Sequence, residues 1–277
     1  MLNINWYPGH MVKAKNDIKK DLKLVDVVLE ILDARIPISS HNPDINEMVV
    51  EKNKIVILNK SDLSNELENK KWLDKFESEG TRAILTDLNT GKGVQECLKQ
   101  IEKLVKKDEI SKNIVRILVV GIPNVGKSSF INMISKKKSL NVANKPGVTK
   151  QNQWVKLNNN IYLLDTPGVL WPKFEDENIA LNLAFTGTIK DDVIDKIEVA
   201  YKLLEKLQKE YSTYLIERYK LKQDDINLDT IKLMELIGQK RGALVTGGNV
   251  DNQKISNILL EDFRSGKIGR ITLEPAT

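Results

Sequence analysis

The sequence predicts an α/β fold with a mostly parallel sheet, followed by a small α-helical C-terminal domain. Three observations carry this. Apolar, β-branched runs recur through the first 175 residues, and each ends in a polar turn. Stretches with helical 3–4 spacing of apolar residues separate those runs. Beyond about residue 175 only the helical spacing remains. Strands that alternate with helices form parallel sheets, because each crossover needs a covering helix.

Taken in order, "DVVLEILDA" (26–34) reads as a buried strand, and "KIVILNKSD" (54–62) as a second that runs into a polar turn. Residues 66–79 carry Leu67, Trp72, Leu73 and Phe76 among polar neighbours, which suits a surface helix. "RAILT" (82–86) is a short third strand. Val94, Cys97, Leu98, Ile101, Leu104 and Val105 mark a helix. "RILVVG" (116–121) and "NIYLLDTPG" (160–168) are further strands, each ending in a glycine-containing turn. In the tail, Ile194 to Tyr211, Leu228 to Ile237 and Ile255 to Phe263 carry amphipathic helices, the last with Asp251 as N-cap and Gly266 just past its end. The expected division is 1–175 and 176–277.

Composition narrows the classes. The chain has 277 residues, 41% of them hydrophobic, enough for a core, and no apolar run long enough to span a bilayer. Its start, "MLNINWYPGH", lacks the basic and apolar regions of a secretory signal. One cysteine, Cys97, excludes an internal disulfide or a multi-cysteine zinc site. A reducing cytoplasm is the expected compartment. The net charge of +5 suits a polyanionic partner such as nucleic acid, or a lysine-rich solvated surface; charge alone leaves both open.

Residues 121–128, "GIPNVGKS", fit G-x-x-x-x-G-K-[ST] between a strand and a helix. Such a loop turns backbone N–H groups toward phosphates, with Lys127 on the β and γ phosphates and Ser128 on Mg²⁺. The helix N-terminus that follows adds positive potential. Asn124, Val125, Gly126, Lys127, Ser128 and Ser129 are therefore candidate phosphate contacts. Asp165-Thr166-Pro167-Gly168 supplies a second carboxylate for Mg²⁺ and, in Gly168, an N–H for the γ-phosphate. Thr149, within the polar stretch 144–154, is the candidate third Mg²⁺ ligand and nucleotide sensor. "NKSD" (59–62) is the candidate base selector. A carboxylate at Asp62 can accept from both guanine donors, whereas adenine would face it with a lone pair. Asn59 and Lys60 would tie that turn to the phosphate loop, and Thr86 and Asp87 are weaker guanine candidates.

These four motifs together resemble the guanine-nucleotide-binding domains of translation-factor-related GTPases, but the base selector precedes the phosphate loop. That order resembles the circularly permuted GTPases. Among them, "WYPGHM" (6–11), "DARIP" (33–37), "PGVT" (146–149) and the length of the helical tail resemble the ribosome biogenesis GTPase A family. The resemblance implies one nucleotide domain with exchanged halves. It implies a large (50S) ribosomal subunit precursor as partner, with rRNA as a main contact and GTP hydrolysis stimulated by the subunit. Val169 stands where many GTPases carry the water-orienting glutamine. The resemblance points instead to His10, an imidazole mostly neutral at pH 7. It also points to Asn124 as a K⁺ ligand. Lys240, Arg241, Lys254, Arg264, Lys267 and Arg270 are the expected rRNA-facing cations, with 240–251 as the contact loop. A monomer is expected. A P-loop ATPase or kinase, and a non-hydrolysing RNA-binding scaffold, are the alternatives.

Overall fold

The computed structural model describes residues 9–50, 52–106, 114–137, 153–157, 160–171 and 176–276. They divide into two compact units: one within Trp6–Phe174 joined by Thr272–Thr277, the other within Glu175–Ile271. The segment 272–276 thus packs with the sheet unit, whereas the sequence reading assigns it to the helical tail.

In the sheet unit the elements follow as α1 (Gly9–Asp21), β1 (Val27–Asp33), α2 (Pro43–Val49), β2 (Asn53–Asn59), α3 (Glu66–Ser78), β3 (Arg82–Leu85) and α4 (Val94–Lys106). Then come β4 (Val115–Val120), α5 (Lys127–Lys137), β5 (Gln153–Lys156) and β6 (Ile161–Asp165). Among the described residues the six strands form one sheet, ordered β3-β2-β1-β4-β6-β5, parallel except for the β5–β6 pair. β1 is buried along its whole length, as a central strand covered on both faces should be. Its neighbour β4 comes from the later half of the chain, so both halves build a single sheet.

One face of the sheet carries two core clusters. Ala14 and Ile18 of α1, one turn apart, and Leu22 just past its end pack with Val28, Ile45, Leu118, Val120 and Leu164. Trp72 of α3 packs with Leu32, Val56 and Leu58. Cys97 is buried in α4, and burial pushes its thiol up to about 12, which disfavours the thiolate. His41, an ordinary loop residue by its sequence, sets Nδ1 2.8 Å from the buried Glu30 carboxylate.

The other unit holds α6 (Glu177–Phe185), α7 (Lys196–Glu210), α8 (Ser212–Tyr219), α9 (Thr230–Lys240) and α10 (Asn252–Arg264). α7 touches each of the other four and forms their shared core through Val199, Leu203, Leu204 and Leu207. Asp176, Asp195, Asp229 and Asp251 N-cap α6, α7, α9 and α10, each accepting from backbone N–H groups. Gly266 follows α10 at φ +74, the left-handed conformation expected of a residue past a helix end. Among the described residues no helix is long and apolar enough to cross a membrane.

Candidate functional site

The nucleotide candidates lie where β1, β2, β4 and β6 end. In a parallel sheet all strands point the same way, so their C-terminal ends open onto one crevice. Register aligns them further: Asp33 stands opposite Asn59, and Val119 opposite Asp165.

The phosphate loop leaves β4 at Gly121, where a Cβ would stand 2.5 Å from the Ile31 carbonyl oxygen. Asn124 sits exposed at φ +62 and Gly126 at φ +102. Only a glycine suits the second position, since a Cβ there would meet Asn59 Nδ2 at 2.5 Å. The loop feeds into α5, whose first residue, Lys127, is buried and donates from Nζ to the Ile122 carbonyl at 2.8 Å. Ser129 is exposed in the same first turn.

Burial pushes the Lys127 ammonium down to about 8, with Asp165 pulling the other way. The folded value lies below the unfolded one, so the unfolded chain holds the extra proton from about pH 8 up to its ordinary value near 10.4. This group therefore makes stability rise with pH across that window. A phosphate beside Nζ favours the ammonium. Binding of GDP at about pH 8.5, where its terminal phosphate is already ionised, is expected to take up a fraction of a proton, and at about pH 6.5 to release a fraction instead, from that phosphate. Titration calorimetry in buffers of different ionisation enthalpy reads this directly, and equal uptake at both pH values would contradict it.

Ser128 Oγ donates to Asp165 Oδ2 at 3.0 Å, which brings together two of the three expected Mg²⁺ ligands. Both donors are hard oxygens, and Mg²⁺ commonly takes one carboxylate with substrate phosphates and water. Among the described residues no group of three or more His, Cys, Asp and Glu side chains gathers to hold a metal. The donor set fits Mg²⁺ bound with nucleotide. Thr166 ties the same turn to the loop strand through Oγ1 to the Val119 carbonyl, 2.7 Å. Gly168 is a close-approach glycine: a Cβ would stand 2.7 Å from both N and Cα of Pro123 and 3.0 Å from Lys127 Nζ. Val169, Leu170 and Trp171 are buried, and Asn42 Nδ2 fixes the Val169 carbonyl at 2.8 Å. Neither Val169 nor Leu170 has a polar side-chain group to present to a water. Thr149 and the side chain of His10, the candidate for that task, lie outside the described residues; the His10 backbone is in the first turn of α1.

The base-selecting turn meets the phosphate loop through Asn59. Its Nδ2 donates to the Val125 carbonyl at 2.7 Å, and its Oδ1 accepts from Thr86 Oγ1 at 3.1 Å. Lys60, at φ +62, reaches back to Asp33 Oδ2 at 2.9 Å. Asp33 is also gripped by Arg35, Nε to Oδ1 at 3.0 Å and a second guanidinium nitrogen to Oδ2 at 2.8 Å. Burial works against this carboxylate, but Arg35 and Lys60 together hold it well below the usual range. Asp62 is half-buried and accepts from Asn89 Nδ2 at 3.1 Å. The Asp87 carboxylate accepts from the Asn89 N–H at 2.8 Å and the Thr90 hydroxyl at 2.6 Å, so its side chain shapes its own turn. Asn89 is the residue that reaches Asp62, and sequence reading missed it. The Asp33–Arg35–Lys60 cluster was missed too, although "DAR" at a strand end was the signal.

In the helical unit, Arg241, Lys254, Lys267 and Arg270 are exposed, as is Lys240, whose Nζ donates to the Lys220 carbonyl at 2.9 Å. Lys254 Nζ donates to the Gly242 carbonyl at 2.8 Å, and Lys267 Nζ is 3.9 Å from Asp262. The stretch 240–251 folds as a small hairpin around the Leu244–Val250 bridge, with Leu244 and Val245 exposed. The Arg264 guanidinium pairs with Asp191 at 3.0 and 2.8 Å and donates to the Ala184 and Phe185 carbonyls. Four of its N–H groups are turned inward, so it holds α6 to α10. Arg264→Ala is expected to cost this unit about 2–3 kcal/mol, seen as a lowered Tm, because two carbonyls and a carboxylate lose their donor.

The family model for "50S ribosome-binding GTPase" matches residues 116–231, beginning on the phosphate-loop strand. Ribosome biogenesis GTPase A of Bacillus cereus is 42% identical over 98% of this chain and 93% of its own. Among solved structures, a GDP-bound TM YlqF superposes with a TM-score of 0.70 at 27% identity, covering 94% of this chain and 98% of that one. The GNP-bound YlqF from T. maritima gives 0.67 at 28%, covering 95% and 98%. A P-loop-type sheet, matched over nearly the whole length by such relatives, leaves one conclusion: the chain is a GTPase of ribosome assembly and belongs to the ribosome biogenesis GTPase A family.

Proposed function

We propose that this GTPase acts on a late precursor of the large (50S) ribosomal subunit, hydrolysing GTP slowly alone and faster when bound there. The observation that carries the nucleotide half is the Asn59 Nδ2 to Val125 carbonyl bond of 2.7 Å. It ties Asn59 to the loop at 121–128 across the exchanged halves, which supports reading the two as one nucleotide site. The name matched by the family model, a 50S ribosome-binding GTPase, supports the partner half.

In this reading Asp62 and Lys60 hold guanine, with Thr86 supporting Asn59. The N–H groups of 124–129 and the Lys127 ammonium hold the phosphates, and Gly168 contacts the γ-phosphate. Ser128, Asp165 and Thr149 hold Mg²⁺, which neutralises charge on the β and γ oxygens when bound. Asn124, exposed with a hard amide oxygen, takes K⁺. His10 orients the attacking water, since the buried Val169 and Leu170 offer no polar side chain for it. Lys240, Arg241, Lys254, Lys267 and Arg270 face rRNA backbone. The protein works as a cytoplasmic monomer, with a nucleotide domain over 1–175 that also takes in 272–276, and a ribosome-binding one over 176–271.

The test is GTP turnover with and without large ribosomal subunits, in K⁺ and in Na⁺, for the parent and His10→Ala. Stimulation by subunits, larger in K⁺ and absent in His10→Ala, is the expected pattern. Turnover indifferent to subunits would remove the partner. Indifference to the cation would remove K⁺, and a fully active His10→Ala would remove the histidine.

A further inference from the structure

The segment that follows Ile271 packs into the sheet unit at a specific place. Leu273 N donates to the Arg35 carbonyl at 2.8 Å. The Glu274 carboxylate, 9% exposed, accepts from Ile38 N at 2.7 Å, from Ser39 N at 3.0 and 3.1 Å, and from the Ser39 hydroxyl. These contacts fix the loop that follows Asp33, whose Arg35 side chain completes the cluster gripping Lys60.

The same segment is fixed on its other side to α3. Asn65, the N-cap of α3, donates its N–H to Thr272 Oγ1 at 3.0 Å. Trp72 Nε1 donates to the Glu274 carbonyl at 2.8 Å, and Ala276 N to Glu68 Oε2 at 3.0 Å. α3 begins four residues after Asp62, and its Asn69 Nδ2 donates back to the Ser61 carbonyl at 3.3 Å. One short segment therefore bridges the two supports of the base-selecting turn: the Asp33–Arg35 loop behind Lys60, and the helix that follows Asp62. A buried carboxylate receiving two backbone N–H groups and a hydroxyl is a strong, directional anchor, and removing it leaves those donors without a partner.

We infer that Thr272–Ala276 is a strap that sets the guanine pocket, with Glu274 as a positioning residue for guanine nucleotides. This rests on the reading of Lys60 and Asp62 as the base contacts. The strap touches neither the phosphate loop nor the Mg²⁺ side in any of these bonds, so its influence falls on the base end. Loosening it lets the Asp62 carboxylate drift from the two guanine donors. Guanine then loses more than hypoxanthine, which lacks the exocyclic amine and makes only one of those bonds.

The test uses the full chain with Glu274→Ala and with Trp72→Phe, which keeps an aromatic ring but removes the bond to Glu274. GDP and IDP compete against a fluorescent GDP analogue, and dissociation of the analogue is timed by stopped flow. Glu274→Ala is expected to release the analogue about tenfold faster and to shrink the GDP-to-IDP affinity ratio about threefold, with Trp72→Phe changing both in the same direction but less. Should Glu274→Ala fail to fold, Trp72→Phe decides alone. Unchanged release and ratio in a folded variant would overturn the strap, as would equal losses for GDP and IDP, the mark of general loosening. Asp62→Asn separates the two levels. If it keeps the parental GDP-to-IDP ratio, the base assignment itself is wrong. If it loses that ratio while both strap variants keep it, only the strap fails.

Discussion

Lys127→Ala is expected to lower kcat/KM for GTP by about 10³-fold, roughly 4 kcal/mol of transition-state stabilisation. The magnitude follows from position. The ammonium is buried at the first residue of α5, so its interaction with developing phosphate charge is weakly screened. It is also already positioned, held at 2.8 Å by the Ile122 carbonyl, and needs only to exchange one oxygen for another. The backbone donors of the loop survive the substitution, so residual GDP binding is expected, with the loss concentrated in kcat. Removing a charge that burial disfavours should not unfold the protein; its Tm is expected within a few degrees of the parent. Steady-state hydrolysis alongside thermal unfolding checks both halves. A Lys127→Ala enzyme within tenfold of the parent would mean that another cation neutralises the γ-phosphate.

The second large effect concerns which base is accepted. Asp62→Asn is expected to weaken GDP binding by about 10²–10³-fold while improving XDP. A carboxylate offers two acceptors to the N1–H and the amine of guanine. An asparagine offers one acceptor and one donor, which leaves its NH₂ against the guanine amine but suits the 2-carbonyl of xanthine. The neighbours make this a clean substitution: Asp62 is half-buried, its bond to Asn89 can be made equally by an amide, and Lys60 draws its counter-charge from Asp33. Competition of GDP and XDP for a labelled nucleotide gives the answer, and a variant that still prefers GDP would place base selection elsewhere.

Much of this site was legible in the sequence, for a physical reason. Buried parallel strands must be continuous apolar runs, and their polar ends must be where ligands bind. β1, β2, β4 and β6 therefore announced both themselves and Asn59, Gly121 and Asp165. What stayed hidden lacked such a signature. α1 and α2 place only a few apolar residues toward the core, and α2 has just seven residues. β5 is a short antiparallel strand, QWVK, at the sheet edge, and it reads as loop because half of it is polar. Arg264 counted as surface charge because a sequence does not say whether a cation already has a partner; Asp191, 73 residues away, settles that. Asp87 reads as an unengaged carboxylate for the same reason, and its own turn uses both oxygens.

The place of β4 between β1 and β6 also bears on how the molecule can be made. A ribosome synthesising this chain delivers β1, β2 and β3 first, with β1 destined for the middle of the sheet. Until residues 115–120 emerge, one side of that strand, apolar and buried in the finished protein, has no neighbour. A chain stopped after Lys106 would therefore be a sheet with a sticky edge rather than half an enzyme. Folding of the sheet waits for the strand that leads into the G-x-x-x-x-G-K-S loop, so the ends of β1 and β2 are joined to that loop only once it has been made.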